Sequence, residues 1–169
     1  FMPEVNNDLI MRHQWEAYME CGSGETAAFN LIGEGFTSFP KALNPKEYTR
    51  KYVNYKTEKT DVIGYAPSIA YSCDCISGDP VVQEIVKITD FEMVGAATHR
   101  NIVTVNRWEA DATTGECPAH MRTYAIVPGN KGDGTDALIY TGTFKAVGDV
   151  VHGTFNPKTK KFTAETVSE

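Results

Sequence analysis

The stretch ALIYTGTFKAVGDVVHGTFNPKTKKFTA, residues 137–164, decides the fold class of this chain. Its first part, 137–147, alternates between two sets of side chains, as a strand with one buried face does. The inward set is Leu138, Tyr140, Phe144 and Ala146, and the outward set is Thr141, Thr143 and Lys145. Gly148-Asp149 predicts a type II′ hairpin into a strand over 150–155, and a second turn at 156–159 leads into a strand over 161–164. An antiparallel meander is therefore expected here.

Short β-branched and aromatic runs closed by Gly, Pro, Asn or Asp predict further strands upstream of this meander. These strands cover residues 14–21, 48–55, 65–75, 101–108 and 121–127, the last of them ended by Pro128. A long connection spans 33–45, a loop spans 110–118 and a turn spans 130–136. With no internal repeat and no linker of biased composition, one domain is predicted over residues 1–169. The fold class expected is mainly β (α+β).

One α-helix interrupts the strands. Asp79 is a typical N-cap residue, and Pro80 suits the first helical position. The apolar residues that follow recur at helical spacing and do not separate into odd and even positions: Val81, Val82, Ile85, Val86 and Ile88. A helix flanking the sheet is the prediction.

Charge and length exclude some classes of function. The 169 residues include 16 Lys and Arg against 22 Asp and Glu, a net charge of -6. A protein that grips nucleic-acid phosphates is usually basic, so tight nucleic-acid binding is not expected. No apolar run approaches the roughly 20 residues of a membrane-spanning helix, so no membrane association is expected either. Phe1 and Met2 are interpreted as a leftover of recombinant expression, and the N-terminal residues do not resemble a secretory signal.

The candidate reactive groups have a simpler explanation in packing. A zinc site could be imagined from Cys73, Cys75, Cys117 and His120. The Cys-x2-Cys spacing of structural zinc sites is absent, however, so we interpret the cysteines as buried thiols. The segment 130–136 has Asp and Gly residues like a calcium loop but lacks the closing bidentate Glu, so a hairpin loop is expected. Residues 48–59 alternate Tyr with Lys and Arg, as an exposed strand or a nucleic-acid-binding strip would. No cofactor, metal or catalytic residue is predicted.

Several phrases of the sequence resemble one family. They are Leu43-Asn44-Pro45-Lys46, Tyr52-Val53-Asn54, the run from Lys59 to Ser68 (KTDVIGYAPS), and Gly132-Asp133-Gly134-Thr135-Asp136-Ala137 leading to Tyr140-Thr141-Gly142. Together with the order of strands and the single helix, they resemble the major tail proteins, or tail tube proteins, of long-tailed bacteriophages that infect Gram-positive bacteria. The resemblance spans about residues 15–162.

The resemblance implies an antiparallel β-sandwich or flattened barrel with one flanking helix, found in a virion structural protein with no enzymatic activity. Such subunits assemble in the host cytoplasm into stacked hexameric rings, which form the tail tube through which the genome leaves. The implied partners are further copies of the chain and the tape measure, tail terminator and distal tail proteins, while DNA passes through the lumen without specific binding. Segments 33–45 and 56–62 are the candidate assembly arms. The candidate inter-subunit contacts in them are Phe36, Phe39, Leu43, Asn44, Pro45, Glu58, Lys59, Asp61 and Val62.

Other functions stay open at the level of sequence. The chain could be the tube subunit of a contractile or secretion machine, because similar folds serve those machines. It could also be a small-ligand-binding β-barrel in which Trp15, Trp108, Tyr140 and Phe144 line a pocket. A zinc or thiol enzyme built on the cysteines ranks last.

Overall fold

The structure, a computed structural model, describes residues 7–166. Phe1 and Met2 lie outside that range. The chain is mainly β with one α-helix, and its antiparallel sheet curls into a half-barrel, which confirms the predicted fold class. The strands are β1 Trp15–Cys21, β2 Ala28–Ile32, β3 Phe36–Ser38, β4 Lys41–Ala42, β5 Pro45–Arg50, β6 Lys59–Tyr65, β7 Ser68–Asp74, β8 His99–Asn106, β9 Cys117–Lys131, β10 Ile139–Ala146, β11 Val151–Asn156 and β12 Lys161–Ala164; the helix is α1 Pro80–Asp90.

The main sheet has the strand order β2-β1-β8-β9-β10-β7, and β3 and β4 both pair with the outer edge of β7. β11 pairs with β9 and with β12, while β5 and β6 form a separate two-stranded sheet. Every pairing is antiparallel. No helix of the described residues has the length and apolar character needed to cross a membrane.

Strand β9 pairs with β8, β10 and β11, and its course corrects two sequence predictions. It runs for 15 residues, through Pro118 and Pro128, whereas the prediction ended it at Pro128. Proline lacks a backbone N–H and is tolerated in strands at edges and bulges. Pro128 meets both conditions: β8 pairs with β9 only as far as Ala125, and the β9–β10 register shifts between Tyr140 and Gly142, opposite Pro128.

The hairpin predicted at Gly148-Asp149 is also wrong. β10 pairs with residues 124–131 of β9 and β11 pairs with residues 117–121, and both lie on the edge of β9 that faces away from β8. The two strands therefore continue in one direction along β9, separated by a break at 147–150 as the sheet curls. The turn after β11 is confirmed, because β12 folds back on β11 and the side-chain Oδ1 of Asn156 accepts a bond from the Lys158 N–H at 3.0 Å.

Helix α1 begins at the residue that its local signals predict, Pro80 after the N-cap Asp79. Asp79 Oδ1 accepts hydrogen bonds from the N–H groups of Val81 and Val82, at 2.9 and 3.3 Å. Four apolar residues of the helix, Val81, Val82, Ile85 and Ile88, are fully buried against the sheet. A charged contact also links the helix to the sheet, where Arg100 of β8 donates to Glu84 Oε2 at 2.8 Å.

Two hydrophobic clusters lie on opposite faces of the sheet. The larger one joins α1 to one face of the sheet and includes Cys73, Tyr71 and Phe144, while the smaller one covers the other face of β1, β8, β9 and β11 and includes Cys117 and Phe155. Cys73 and Cys117 therefore pack in different clusters and share no site. Among the described residues, no group of three or more His, Cys, Asp or Glu side chains is placed to hold a metal ion.

The segment 33–45 is not one long connection. It contains β3 and β4, which extend the sheet beyond β7, and its Phe36 and Phe39 pack against the larger cluster. The strand predicted over 48–55 is instead β5, which starts at Pro45 and ends at Arg50. The strand predicted over 65–75 is β7, shortened at its start by the break at Ala66-Pro67.

Candidate functional site: an exposed hairpin arm

The separate sheet β5–β6 forms a two-stranded hairpin, which we call the arm and define as residues 45–65. Its register pairs Pro45 with Tyr65 at the base and Arg50 with Lys59 near the tip. At about 3.3 Å per residue, the six paired residues of β5 extend about 20 Å, and the loop 51–58 adds to that reach. Apart from Arg50 and Gly64, which are half-buried, every residue of the arm is exposed. Neither face of the arm is therefore covered by the other residues that the structure describes.

The arm exposes apolar side chains that a solvated hairpin does not need. The fully exposed Val53 lies in the tip loop, and Tyr65 at the base is 61% exposed. The other exposed apolar residues of the arm are Tyr48, Tyr52, Tyr55, Val62 and Ile63. An isolated two-stranded hairpin is marginally stable in water, because it has no core of its own to offset the entropy of ordering the chain. Such an arm is stabilised when its apolar side chains are covered by another surface.

Local contacts give the arm a defined shape in spite of its exposure. The guanidinium of Arg50 donates to Asp61 across the hairpin and, at 2.8 Å, to Tyr52 Oη. The guanidinium also lies over the ring of Tyr48, 4.9 Å from its centroid. Tyr52 and Tyr55 pack edge to face at 5.4 Å in the tip loop. The Arg50 guanidinium lowers the pKa of Asp61, chiefly through the hydrogen bond, so the pair stays charged at neutral pH.

A residue in the left-handed conformation sets the direction of the arm. Asn44 has φ 47°, a value that Asn tolerates better than most residues other than Gly. Its amide Nδ2 donates to Ala66 O at 3.1 Å and to Ser68 Oγ at 3.0 Å, which ties both ends of the arm together at the body. The arm therefore leaves the sheet at a clamped base.

The structure brings most of the sequence-predicted contact residues to this arm. Glu58, Lys59, Asp61 and Val62 are exposed in the arm itself, and Leu43, Asn44 and Pro45 are exposed at its base. Phe36 and Phe39 are placed elsewhere: the ring of Phe39 is 8% exposed and contacts those of Trp15, Phe36 and Phe144 in the core. A role as inter-subunit contacts stays a prediction for all nine residues. Phe36 and Phe39 also contact other rings within the chain.

Sequence reasoning missed the tyrosines and Val53 as parts of one projecting element. The alternation of Tyr with basic residues over 48–59 was the signal, and it has the same appearance in a solvated edge strand. A projecting arm differs from a solvated edge strand because β5 pairs with β6 away from the main sheet. Only the three-dimensional structure shows this pairing.

The aromatic residues expected to line a ligand pocket do not surround one cavity. Tyr140 and Phe144 are buried in the larger cluster, and Trp108 lies in the helical turn Arg107–Glu109 after β8. Trp15 borders an open groove of about 640 Å³ together with Phe36, Phe39 and the turn at Arg12–Gln14.

Comparison with known proteins gives a likeness of fold. No protein-family model matches the chain, and no curated protein matches it. Among solved structures, it is similar to a chain of the "Cryo-EM structure of the anti-feeding prophage (AFP) baseplate, 6-fold symmetrised", with a TM-score of 0.50. The two chains share a fold. The match covers 87% of this chain and 97% of the other, at 10% sequence identity. The similar protein is a component of a prophage baseplate.

Proposed function

We propose that this chain is a structural subunit of a phage-type tail tube, a major tail protein that assembles into stacked hexameric rings forming the conduit for genome ejection. The observation that carries the proposal is the arm, a preorganised hairpin with apolar side chains exposed on a clamped base. The role is structural and needs no catalytic group. Its partners are further copies of the chain and the tape measure, tail terminator and distal tail proteins. Its location is the virion tail, after assembly in the host cytoplasm.

The fold comparison supports a role in a symmetric assembly. The similar chain comes from a prophage baseplate whose structure is six-fold symmetrised. A ring of six places each subunit between two identical neighbours, so every subunit offers one surface and receives another. A subunit in the tube of a contractile tail or of a secretion machine would contact two identical neighbours in the same way. DNA would pass through such a ring without specific binding, because an acidic lumen repels phosphates.

Burial of the arm supplies the energy of association. Covering a fully exposed Val side chain contributes about 1.5–3 kcal/mol. Each 1.4 kcal/mol is a factor of ten in a dissociation constant, so Val53 alone accounts for about 10-fold to 100-fold in affinity at each contact. Of the nine proposed contact residues, those from Leu43 to Val62 lie in or beside the arm.

The proposal is tested by negative-stain electron microscopy of the purified protein over a range of concentrations, with light scattering for mass. Rings or hollow tubes are the expected result. Val53→Asp should raise the concentration needed for assembly at least tenfold, because it removes the apolar side chain from the arm's tip. A chain that stays monomeric at every concentration would contradict self-assembly.

A matched control separates the loss of an apolar contact from the added charge. Thr57 is an exposed polar residue of the same tip loop, so Thr57→Asp adds the same charge and removes no large apolar group. Both variants should unfold at the same temperature as the parent, since neither position is in the core. Equal loss of assembly in the two variants would show that charge, and not burial of Val53, is responsible.

The second candidate function is binding of a small ligand, and the groove beside Trp15 favours it. The groove is large enough for a small apolar molecule and is bordered by the rings of Trp15, Phe36 and Phe39. A fluorescence titration of Trp15 and Trp108 with a set of apolar probes tests it. Saturable binding by a monomer would support this function over the tail tube.

A further inference from the structure

One end of the half-barrel carries a group of basic side chains that we call the basic cluster: Lys41, His120, Arg122 and His152. Lys41, His120 and Arg122 are half-buried and His152 is exposed. Neither Lys41 nor Arg122 has a carboxylate within 4 Å among the described residues, where the ion pairs are Arg50–Asp61, Arg100–Glu84, Arg107–Glu16 and Lys131–Asp90. Half-buried cations without a bonded carboxylate are uncommon, because burial of an unpaired charge is costly.

The members of the basic cluster affect one another. His120 and His152 are opposite each other on β9 and β11, with their Nδ1 atoms 2.7 Å apart. Burial lowers the pKa of His120, and the neighbouring His152 and Lys41 lower it further, against a smaller opposing effect of Glu109. Burial also lowers the pKa of Lys41, as does the charge of Arg122. Because neither Lys41 nor Arg122 has an ion-paired carboxylate among the described residues, the cluster favours an incoming oxyanion over a metal cation.

An open pocket of about 500 Å³ lies beside the cluster, between the base of the arm and the break that separates β10 from β11. Tyr65, Arg122 and Asp149 are among the residues that line it. Asp149 is not within ion-pair distance of Arg122. The pocket leaves the Arg122 side chain accessible to an acidic side chain from outside.

The other end of the sheet carries acidic side chains, and we call it the acidic end. It consists of Glu92, Asp133 and Asp136, together with the exposed apolar residues Phe91 and Leu138. Asp133 and Asp136 lie in the exposed loop between β9 and β10 and are absent from the ion pairs of the described residues. Helix α1 ends beside this loop, because Lys131 Nζ bonds to Asp90 Oδ1 at 2.8 Å. Phe91 and Glu92 follow directly, and Phe91 is 76% exposed. The carboxyl end of a helix adds partial negative charge.

The two ends are separated along the strands. The stretch of β9 from Arg122 to Lys131 extends about 30 Å at 3.3 Å per residue. Lys41 pairs with Ile69 near the start of β7, whereas the loop 132–138 adjoins Asp74 at the end of β7. A head-to-tail contact places the basic cluster of one copy against the acidic end of the next, and it leaves each copy one basic and one acidic surface for a further neighbour.

We propose that the basic cluster binds the acidic loop 132–138 of a second copy of this chain in a head-to-tail contact, with Lys41 and Arg122 pairing with Asp133 and Asp136. This proposal rests on the proposed function, since it names the surfaces through which the subunits join. The arm leaves the body at the same end as the basic cluster, through Asn44 and Ala66, so both reach the same neighbour. Charge pairing aligns the two copies, and the apolar contacts of the arm and of Phe91 hold them.

Charge reversal tests the pairing. Lys41→Glu with Arg122→Glu, and separately Asp133→Lys with Asp136→Lys, should each raise the concentration for assembly by tenfold or more. The chain carrying all four changes should assemble as the parent does, because its ends are complementary again, and it should not mix with the parent in one assembly. Failure of the fourfold variant to recover, while it remains folded by circular dichroism, would overturn the proposal.

A control matches the change in net charge. Lys87→Glu with Lys145→Glu alters two exposed lysines, one on α1 and one on β10, and takes the net charge from -6 to -10, since each reversal changes it by two. Lys41→Glu with Arg122→Glu makes the same change. Equal loss of assembly in both would mean that net charge, and not the cluster, is the cause.

A second measurement separates this proposal from the proposed function. A synthetic peptide of residues 130–138, NKGDGTDAL, is titrated into the chain at monomeric concentrations while the imidazole C–H resonances of His120 and His152 are followed by NMR. Saturable shifts that Asp133→Asn with Asp136→Asn abolishes in the peptide would support the contact even if no tubes form. Unchanged resonances at millimolar peptide would overturn the contact while leaving tube formation through the arm intact.

Discussion

Replacing Tyr71 by Phe should stabilise the protein. The Tyr71 side chain is 3% exposed, and its hydroxyl is the one buried side-chain polar atom of the described residues with no hydrogen-bond partner. Burial raises the pKa of this hydroxyl, as expected for a group removed from water. An unsatisfied buried hydroxyl costs about 1–3 kcal/mol, so its removal should raise the free energy of unfolding by about that amount. In a domain of this size, this is about 2–12 °C in Tm.

The assay is urea denaturation followed by tryptophan fluorescence, and Tyr140 provides the control. Tyr140 is 2% exposed, but its hydroxyl donates to Asp90 Oδ1 at 3.2 Å. Tyr140→Phe makes the same chemical change and should lower the free energy of unfolding by about 1.5–3 kcal/mol, the usual value of a hydrogen bond to a charged group. A loss of stability in Tyr71→Phe, with an unchanged denaturant slope, would refute the reasoning and indicate that a water molecule satisfies the Tyr71 hydroxyl.

Three further predictions concern the helix and the histidine pair. Asp79→Ala should lower the free energy of unfolding in urea by about 1 kcal/mol, because it removes the N-cap hydrogen bonds of α1. Asp79→Asn should keep most of that stability. An unchanged urea midpoint in Asp79→Ala would contradict this prediction. Glu84→Gln should lower the free energy of unfolding by about 2–3 kcal/mol, because it leaves the half-buried Arg100 without its carboxylate. This loss of stability should persist in 0.5 M salt. A loss that salt removes would indicate an ordinary surface ion pair. The folded-state pKa of His120 lies below its ordinary value of 6.5, so the unfolded chain binds the proton more tightly than the folded chain does. The free energy of unfolding should therefore fall as pH drops below about 7, and His120→Gln should flatten this dependence. Equal slopes of unfolding free energy against pH in the two proteins would refute this prediction.

Local signals carried part of the fold. Helix α1 was predictable because its cap, its first proline and its apolar spacing all lie within a dozen neighbouring residues. The mainly β class followed in the same way from alternation and from turn residues, each readable within a short window. The turn after β11 depends on Asn156 and its next few neighbours, so it was predictable as well.

The candidate site was predictable in part. The phrases from Leu43 to Pro45 and from Glu58 to Val62 identify residues that the structure places in or beside one arm. Phe36 and Phe39 look equally exposed in sequence, because an apolar residue between Gly and Pro has no periodic pattern that indicates burial. The curl of the sheet decided their place, since β3 and β4 extend β7 and direct these rings into the core.

The sequence by itself determined the elements: the single helix, the strand-rich second half and the acidic balance. The tertiary structure decided the rest: that β9 continues through Pro128, that β10 and β11 share one edge of it, that β5 and β6 leave the sheet, and that the basic cluster and the acidic end lie at opposite ends. The reason is physical. Strand pairing is set by partners distant in the chain, and a proline breaks a strand only where a pairing partner needs the N–H that proline lacks.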